Sequence, residues 1–182
     1  MSDVLQLLVD VDHGAIRATS ELRWSPATAV LTMVSAWWVK GPLLVAAGWC
    51  ADLRNRRMFP LVAFAAALSF AVASGLNVVL KDIVDRSRPP GEIGLDAVVG
   101  VPGSSSFPSG HAMTAFAVAA AIALLAPRLR WVMLGVASVI AVSRVYLGVH
   151  FWLDVLAGAA FGMAIGALIA VAVRRSAATR PG

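Results

Sequence analysis

Charge is scarce in this sequence. Only 14% of its 182 residues are Asp, Glu, Lys or Arg, where a soluble domain carries about 25%. Cysteine is scarcer still: Cys50 stands alone, which excludes an internal disulfide framework and a cysteine-built zinc site. No HExxH zinc motif, internal repeat or low-complexity tract is present, and neither His111 nor His150 has the His, Cys or Glu company of a metal site. What fills the chain is apolar, 59% of all residues, with a mean hydropathy of +0.81. That excludes disorder and a collagen-like scaffold, and leaves almost no room for a water-soluble monomer. The formal charge of +5 could suggest nucleic acid. In so apolar a chain it reads instead as orientation signals and a partiality for anionic lipid or phosphate, with no nucleic acid expected.

A hydrocarbon core about 30 Å thick takes about 20 apolar residues per helix. Five segments qualify or nearly do: 29–50 with one charge (Lys40), 61–80 with none, the short uncharged 112–126, 131–149 with Arg144, and 151–173 with Asp154. The expected fold is all-α, a polytopic membrane bundle of five transmembrane helices. Residues 1–28 break up Leu5, Leu8, Val9 and Ile16 with Asp10, Asp12, His13, Arg17, Glu21 and Arg23. That is too polar to span and lacks a signal peptide's basic start and cleavage site, so an interfacial amphipathic helix is expected, with a sixth span as the alternative. The expected division is an interfacial segment 1–28, one membrane catalytic domain 29–175 and a cytoplasmic tail 176–182.

Loop charges orient the bundle. Arg54, Arg56 and Arg57 follow the first span, Arg128 and Arg130 the third, and Arg174, Arg175 and Arg180 the fifth. With five spans these fall on one side, which the positive-inside rule makes cytoplasmic. The opposite side receives the N-terminal helix, the 85–110 connection and the 144–151 corner. The connection contains PPGEIGLDAVVGVPGSSSFPSG, whose Gly, Pro and Ser predict a loop, and long loops in compact domains are usually functional. Gly158, Gly162 and Gly166 form a small-residue stripe suited to helix packing within the bundle more than to an oligomer contact; the oligomeric state stays open.

Charges near spans are costly, about 2.5–3.5 kcal/mol at a helix centre, so each invites a reason. Lys81 and Arg88 are seven apart and would share a face if their helix runs on for two turns, although Lys81 could simply snorkel and pair with Asp85. Pro108-Ser109-Gly110-His111 precedes the third span. Ser109 is a candidate N-cap, Gly110 permits close backbone approach, and the freed amides would face an anion. His150 and Asp154 are four apart, so on the fifth helix they would share a face, and a carboxylate can hold one imidazole nitrogen and leave the other as a directed base or nucleophile. Gly148 is a candidate corner that turns Arg144 and His150 inward; a buried His–Asp pair gluing helices is the plainer alternative. Three cations, a helix start and two histidines on one side describe a phosphate site.

Lys81-x6-Arg88-Pro89, Pro108-Ser109-Gly110-His111 and Ser143-Arg144-x5-His150-x3-Asp154 resemble the three signature motifs of the type 2 phosphatidic acid phosphatase superfamily, matching in order over residues 60–175. The resemblance implies an integral membrane enzyme with an extracytoplasmic site, in a bacterial plasma membrane. It implies His150 as the phosphoryl-accepting nucleophile, Asp154 as the residue orienting it, and His111 as the acid for the leaving group and then the base for water. Lys81, Arg88, Arg144, Ser109 and the Gly110 amide would bind phosphate oxygens, while Pro89, Pro108 and Ser143 complete the motifs. Three cations can supply what Mg²⁺ supplies elsewhere, so no metal or cofactor is expected. The expected activity is hydrolysis of a lipid phosphate or diphosphate: polyprenyl, which is slightly favoured, phosphatidate or phosphatidylglycerophosphate. A lipid phosphotransferase and a non-catalytic lipid-binding member are the alternatives. A vanadium haloperoxidase shares the motifs but is soluble.

Overall fold

The structure, a computed structural model, describes residues 3–36, 39–54 and 60–178. Of the orienting arginines, Arg56, Arg57 and Arg180 lie outside those residues, as does the side chain of Lys40. The described chain is helical: α1 (Asp3–Glu21), α2 (Ser25–Val34), a π-helical turn (Val39–Leu43), α3 (Leu44–Arg54), α4 (Leu61–Val84), α5 (Pro89–Ile93), α6 (Gly110–Leu125), a 3₁₀ turn (Pro127–Leu129), α7 (Arg130–Tyr146) and α8 (Trp152–Ala178). Among the described residues, three stretches are long and apolar enough to cross a bilayer: Leu61–Ile93, Pro127–Tyr146 and Trp152–Ala178. Among the described residues, α2 and α6 are apolar but shorter.

Helix α6 is the hub, packed by α4, α7 and α8. Its 16 residues span only about 24 Å, less than the hydrocarbon thickness, yet nearly every side chain from Ala112 to Ile122 is buried. A helix apolar on all sides belongs inside, and neighbouring helices rather than lipid surround this one. Its alanines let α8 come very close. A Cβ on Gly158 would lie 2.6 Å from the carbonyl oxygen of Ser109, and Cβ atoms on Gly162 and Gly166 would collide with the carbonyl oxygens of Met113 and Ala117. The small-residue stripe therefore serves packing within the bundle.

Four expectations need correction. The 29–50 segment is divided: α2 ends at Val34, and Pro42, which cannot donate a backbone hydrogen bond, sits in a π-helical turn before α3. α4 stops at Val84 because Asp85 adopts a left-handed conformation (φ 43°), so Arg88 is not on the helix of Lys81. The 85–110 connection contains one short helix, α5, started by Pro89 and ended by Gly94 at φ 66°. His150 lies before α8 rather than on it, in a corner formed where Gly148 takes φ 77°. At its far end α8 continues past residue 175 to Ala178.

The N-terminal segment is bound to this same end. Arg23 donates from Nε to the carbonyl of Tyr146 (2.8 Å) and from Nη1 to the carbonyl of Asp96 (2.8 Å), placing a cation at the C-terminus of α7. The Tyr146 hydroxyl accepts from the Trp24 amide at 2.9 Å. Helix α1 turns Val4, Leu7, Leu8 and Val11 outward and buries Asp12 and Ile16. An exposed apolar row over a buried carboxylate suits a helix lying against lipid. At the other end of α6, about 24 Å from His111, two of the orienting arginines, Arg54 and Arg128, line one cavity.

Candidate active site

His150 is 2% exposed, and its two nitrogens face different partners. Nδ1 lies 3.5 Å from Asp154 Oδ2 and 3.4 Å from Ser106 Oγ. Nε2 lies 3.2 Å from Arg88 Nη1. A guanidinium can only donate, so Nε2 must be the acceptor and the proton sits on Nδ1, toward the carboxylate. Burial, with the charges of Arg88 and Arg144 acting in the same sense, pushes the imidazole pKa down to about 4 against the pull of Asp154. The ring is neutral near pH 7, with an available lone pair on Nε2.

Asp154 has no exposed surface and holds several groups at once. Its Oδ2 accepts from Ser106 Oγ (2.5 Å) and the Phe151 amide (2.9 Å), and its Oδ1 from Arg86 Nη1 (2.9 Å). Its own carbonyl accepts from the Ser109 amide at 2.9 Å, joining the start of α6 to the first turn of α8.

The cations arrive from two directions. Arg88 reaches the carbonyls of Val149 (2.8 Å) and Ser104 (2.9 Å), and both Arg88 and Lys81 donate to the Ser105 carbonyl. The 104–106 stretch thus gathers two cations that the broken α4 would have separated. From the other side, Arg144 Nη1 donates to Ser35 Oγ, while His111 Nε2 lies 3.1 Å from the Ser35 carbonyl. A carbonyl only accepts, so Nε2 of His111 carries a proton.

Ser109 occupies the N-cap position of α6, but its hydroxyl caps nothing. That hydroxyl and Arg144 Nε are buried polar atoms with no hydrogen-bond partner among the described residues. Two such donors near a neutral histidine and a helix start suit the binding of an anion. Gly110 is required by Asn77: a Cβ there would lie 2.6 Å from Asn77 Oδ1, while Asn77 Nδ2 donates to the Pro108 carbonyl at 3.1 Å. Ser143 bonds back to the Ile140 carbonyl within α7 (2.6 Å), and Pro89 opens α5 beside the N-capping Arg88.

The structure thus joins Arg88, His150 and Asp154 directly, Lys81 to Arg88 through Ser105, and His111 to Arg144 through Ser35. Sequence reasoning missed Arg86, Ser106, Ser35, Asn77 and Asp12. Arg86 was within reach of the argument applied to Lys81, since it too is a charge at the end of a span. The serines and Asn77 carry no spacing signal.

Residues 62–178 match a family model described as the PAP2 superfamily. A lipid A 1-phosphatase of Rhizobium johnstonii is 32% identical over 93% of this chain and 75% of its own length. A decaprenylphosphoryl-5-phosphoribose phosphatase of Mycobacterium tuberculosis is 37% identical over 71% of this chain and 70% of its own. Among solved structures, a transmembrane PAP2 type phosphatidylglycerolphosphate phosphatase from Bacillus subtilis superposes with a TM-score of 0.77 at 27% identity, covering 98% of this chain and 90% of that one.

Proposed function

The chain belongs to the PAP2 superfamily and is an integral membrane protein, and from that premise we propose that it hydrolyses a lipid phosphate or diphosphate through a phosphohistidine. The observation that carries the reading is the setting of His150, whose Nδ1 faces Asp154 while its Nε2 lies beside Arg88.

Nε2 attacks phosphorus while the bond from phosphorus to the leaving oxygen breaks. His111, as the imidazolium, transfers its Nε2 proton to that oxygen and is left neutral. Asp154 stabilises the positive charge that develops on the His150 ring. Water then attacks the phosphohistidine and gives its proton to His111, the P–N bond breaks, and its electron pair returns to Nε2. Lys81, Arg88 and Arg144, with the Ser109 hydroxyl and the Gly110 amide, take the phosphate oxygens, where transition-state charge is spread. Binding phosphate requires Arg88 to exchange His150 for phosphate oxygen, and it supplies Arg144 Nε and Ser109 Oγ with the acceptors they lack. With three cations in place the chemistry needs no metal ion.

A site at one end of a bundle rich in outward apolar side chains favours substrates whose tail remains in the bilayer. Polyprenyl phosphates and diphosphates, phosphatidate and phosphatidylglycerophosphate all have that form, and the relatives' names include a lipid A 1-phosphatase and a decaprenyl-linked phosphatase. In the proposed topology residues 29–175 form the catalytic domain, α1 lies in the interface, and the site faces the extracytoplasmic side of a bacterial plasma membrane. The test is inorganic phosphate release from a panel of these lipids in detergent, with EDTA and with vanadate. Release that survives EDTA and is inhibited by vanadate is expected. No release from any lipid, or a strict Mg²⁺ requirement, would overturn the reading.

A further inference from the structure

The residue that completes the environment of Asp154 comes from outside the family-matched segment. Asp12, in the middle of α1, is 3% exposed, although Leu8 and Val11 beside it face outward. One of its oxygens accepts from the Leu153 amide (3.1 Å), an otherwise free donor in the first turn of α8. The other accepts from Arg86 Nη2 (3.1 Å), whose Nη1 donates to Asp154 (2.9 Å). One guanidinium therefore bridges two buried carboxylates, the second of which faces His150. Arg86 also lies over the Phe151 ring, 4.1 Å from its centroid, and its Nε is 3.8 Å from Glu92 Oε2. Glu92 in turn meets His13, one position along α1 from Asp12, at 2.9 Å.

We propose that Asp12 is a positioning residue of the active site, acting through Arg86 on Asp154 and thereby on His150. This rests on the phosphohistidine reading given above. Arg86 alone would have two opposed effects. Its fork fixes the rotation of the Asp154 carboxylate so that Oδ2 faces Nδ1 of His150, but its charge drains the negative potential that must stabilise the developing imidazolium. Asp12 takes half of that fork. It keeps the guanidinium in register, since two bonds to two carboxylates define a plane, and it offsets the charge presented to Asp154. Removing the Asp12 charge leaves Arg86 answering to Asp154 and the more distant Glu92. The effect falls on the step in which charge develops on His150, hence on kcat, and not on the cations that bind phosphate.

A purely structural role for Asp12 would be the docking of α1, and α1 offers its own control. Ile16, one turn further on, is fully buried against Ala112, Val145 and Phe151, and no polar contact links it to the site. The experiment measures kcat, KM and thermal stability for Asp12→Asn, Asp12→Glu and Ile16→Ala, with His150→Ala alongside, using one lipid phosphate well below all melting points. The expected result for Asp12→Asn is a kcat at least tenfold lower, with KM within about twofold. Asp12→Glu, which keeps the charge, should recover most of that loss, and Ile16→Ala should keep kcat within about threefold despite a lower melting point. Wild-type kcat in Asp12→Asn would overturn the proposal, as would losses in Asp12→Asn and Ile16→Ala that track their melting points. If Asp12→Asn does not fold, Asp12→Glu decides: a KM within twofold with kcat within threefold supports the role, and a tenfold fall in kcat defeats it. Turnover that survives in His150→Ala would instead refute the phosphohistidine reading itself.

Discussion

Replacing Asp154 by Asn changes one atom and removes one charge, and the geometry sets what should follow. Ser106 Oγ and the Phe151 amide donate to Oδ2 at 2.5 and 2.9 Å, His150 Nδ1 approaches the same oxygen at 3.5 Å, and Arg86 donates to Oδ1 at 2.9 Å. A carboxylate accepts from all of them. An amide has one oxygen, so its NH2 must point either at Arg86 or at the other three donors. Facing Arg86 is the cheaper choice, because that guanidinium keeps Asp12 and its side chain is 16% exposed, open to some water. The loss is that of a charged hydrogen bond, about 1.5–3 kcal/mol. For a chain of this size the melting point should fall roughly 4–10 °C.

Turnover should fall much further. The amide oxygen can still accept from Nδ1–H, so the tautomer survives, but the charge opposing a developing imidazolium is gone. In a Ser-His-Asp triad the comparable change costs about 10⁴ in rate. Retention of the tautomer here places the expected fall in kcat at roughly 10²–10⁴ on that scale. The assay is phosphate release beside a melting curve, at a temperature where the variant remains folded. Near-wild-type kcat would refute a catalytic role for the carboxylate and leave it as helix glue. So would a loss no greater than the unfolded fraction explains.

Three further outcomes follow from the geometry. His111→Ala should slow release from lipid phosphate by roughly 10²–10⁴, and distinctly less from p-nitrophenyl phosphate, whose leaving group needs no acid; equal defects would point to a binding role. Gly162→Ala should destabilise the bundle by about 1–3 kcal/mol and reduce kcat, because its Cβ meets the Met113 carbonyl and pushes α6, which carries His111, off α8. Gly135→Ala on α7, with nothing within 4 Å of the new Cβ, should instead be neutral or stabilising by about 0.5–1 kcal/mol; equal melting points for the two variants would disprove the close-packing argument. His150 has its pKa lowered to about 4 in the folded protein from 6.5, so the unfolded chain binds the extra proton first. Stability should therefore drop as pH falls from about 6.5 to 4, by about 3 kcal/mol in full, and a melting-point profile in His150→Gln should be flatter over that window.

Much of the site was legible because the cost of charge in an apolar chain is local. Lys81, Arg144 and Asp154 stand out at or inside hydrophobic runs, Arg88 follows Lys81 at seven residues, and Gly148 between Arg144 and His150 marks the corner that turns them inward. The same logic reaches Arg86, which lies in the spacer between Lys81 and Arg88. Asp12 could not be found that way. It is one of several acids in a polar segment, and its burial depends on a helix that docks 74 residues away from Arg86 and 141 from Leu153.

The sequence by itself determined the membrane class, because transfer free energy sums residue by residue, and the identity of the motif residues, because phosphate chemistry needs cations and paired histidines. It also determined that the last helix presents a glycine face for packing within the bundle, since glycines at four-residue spacing share one side, whereas the structure makes α6 the partner. Only the tertiary structure decided how these parts meet. The left-handed Asp85 breaks α4 before Arg88, and the 104–106 backbone then gathers Arg88 and Lys81 again. Ser35 joins His111 to Arg144. The end of α2 at Val34 was equally hidden, because hydropathy records how apolar a run is and not where its helix stops. The physical reason is common to all of these: hydrogen bonds and ion pairs depend on direction and distance, which packing sets, whereas composition and periodicity record only which surfaces avoid water.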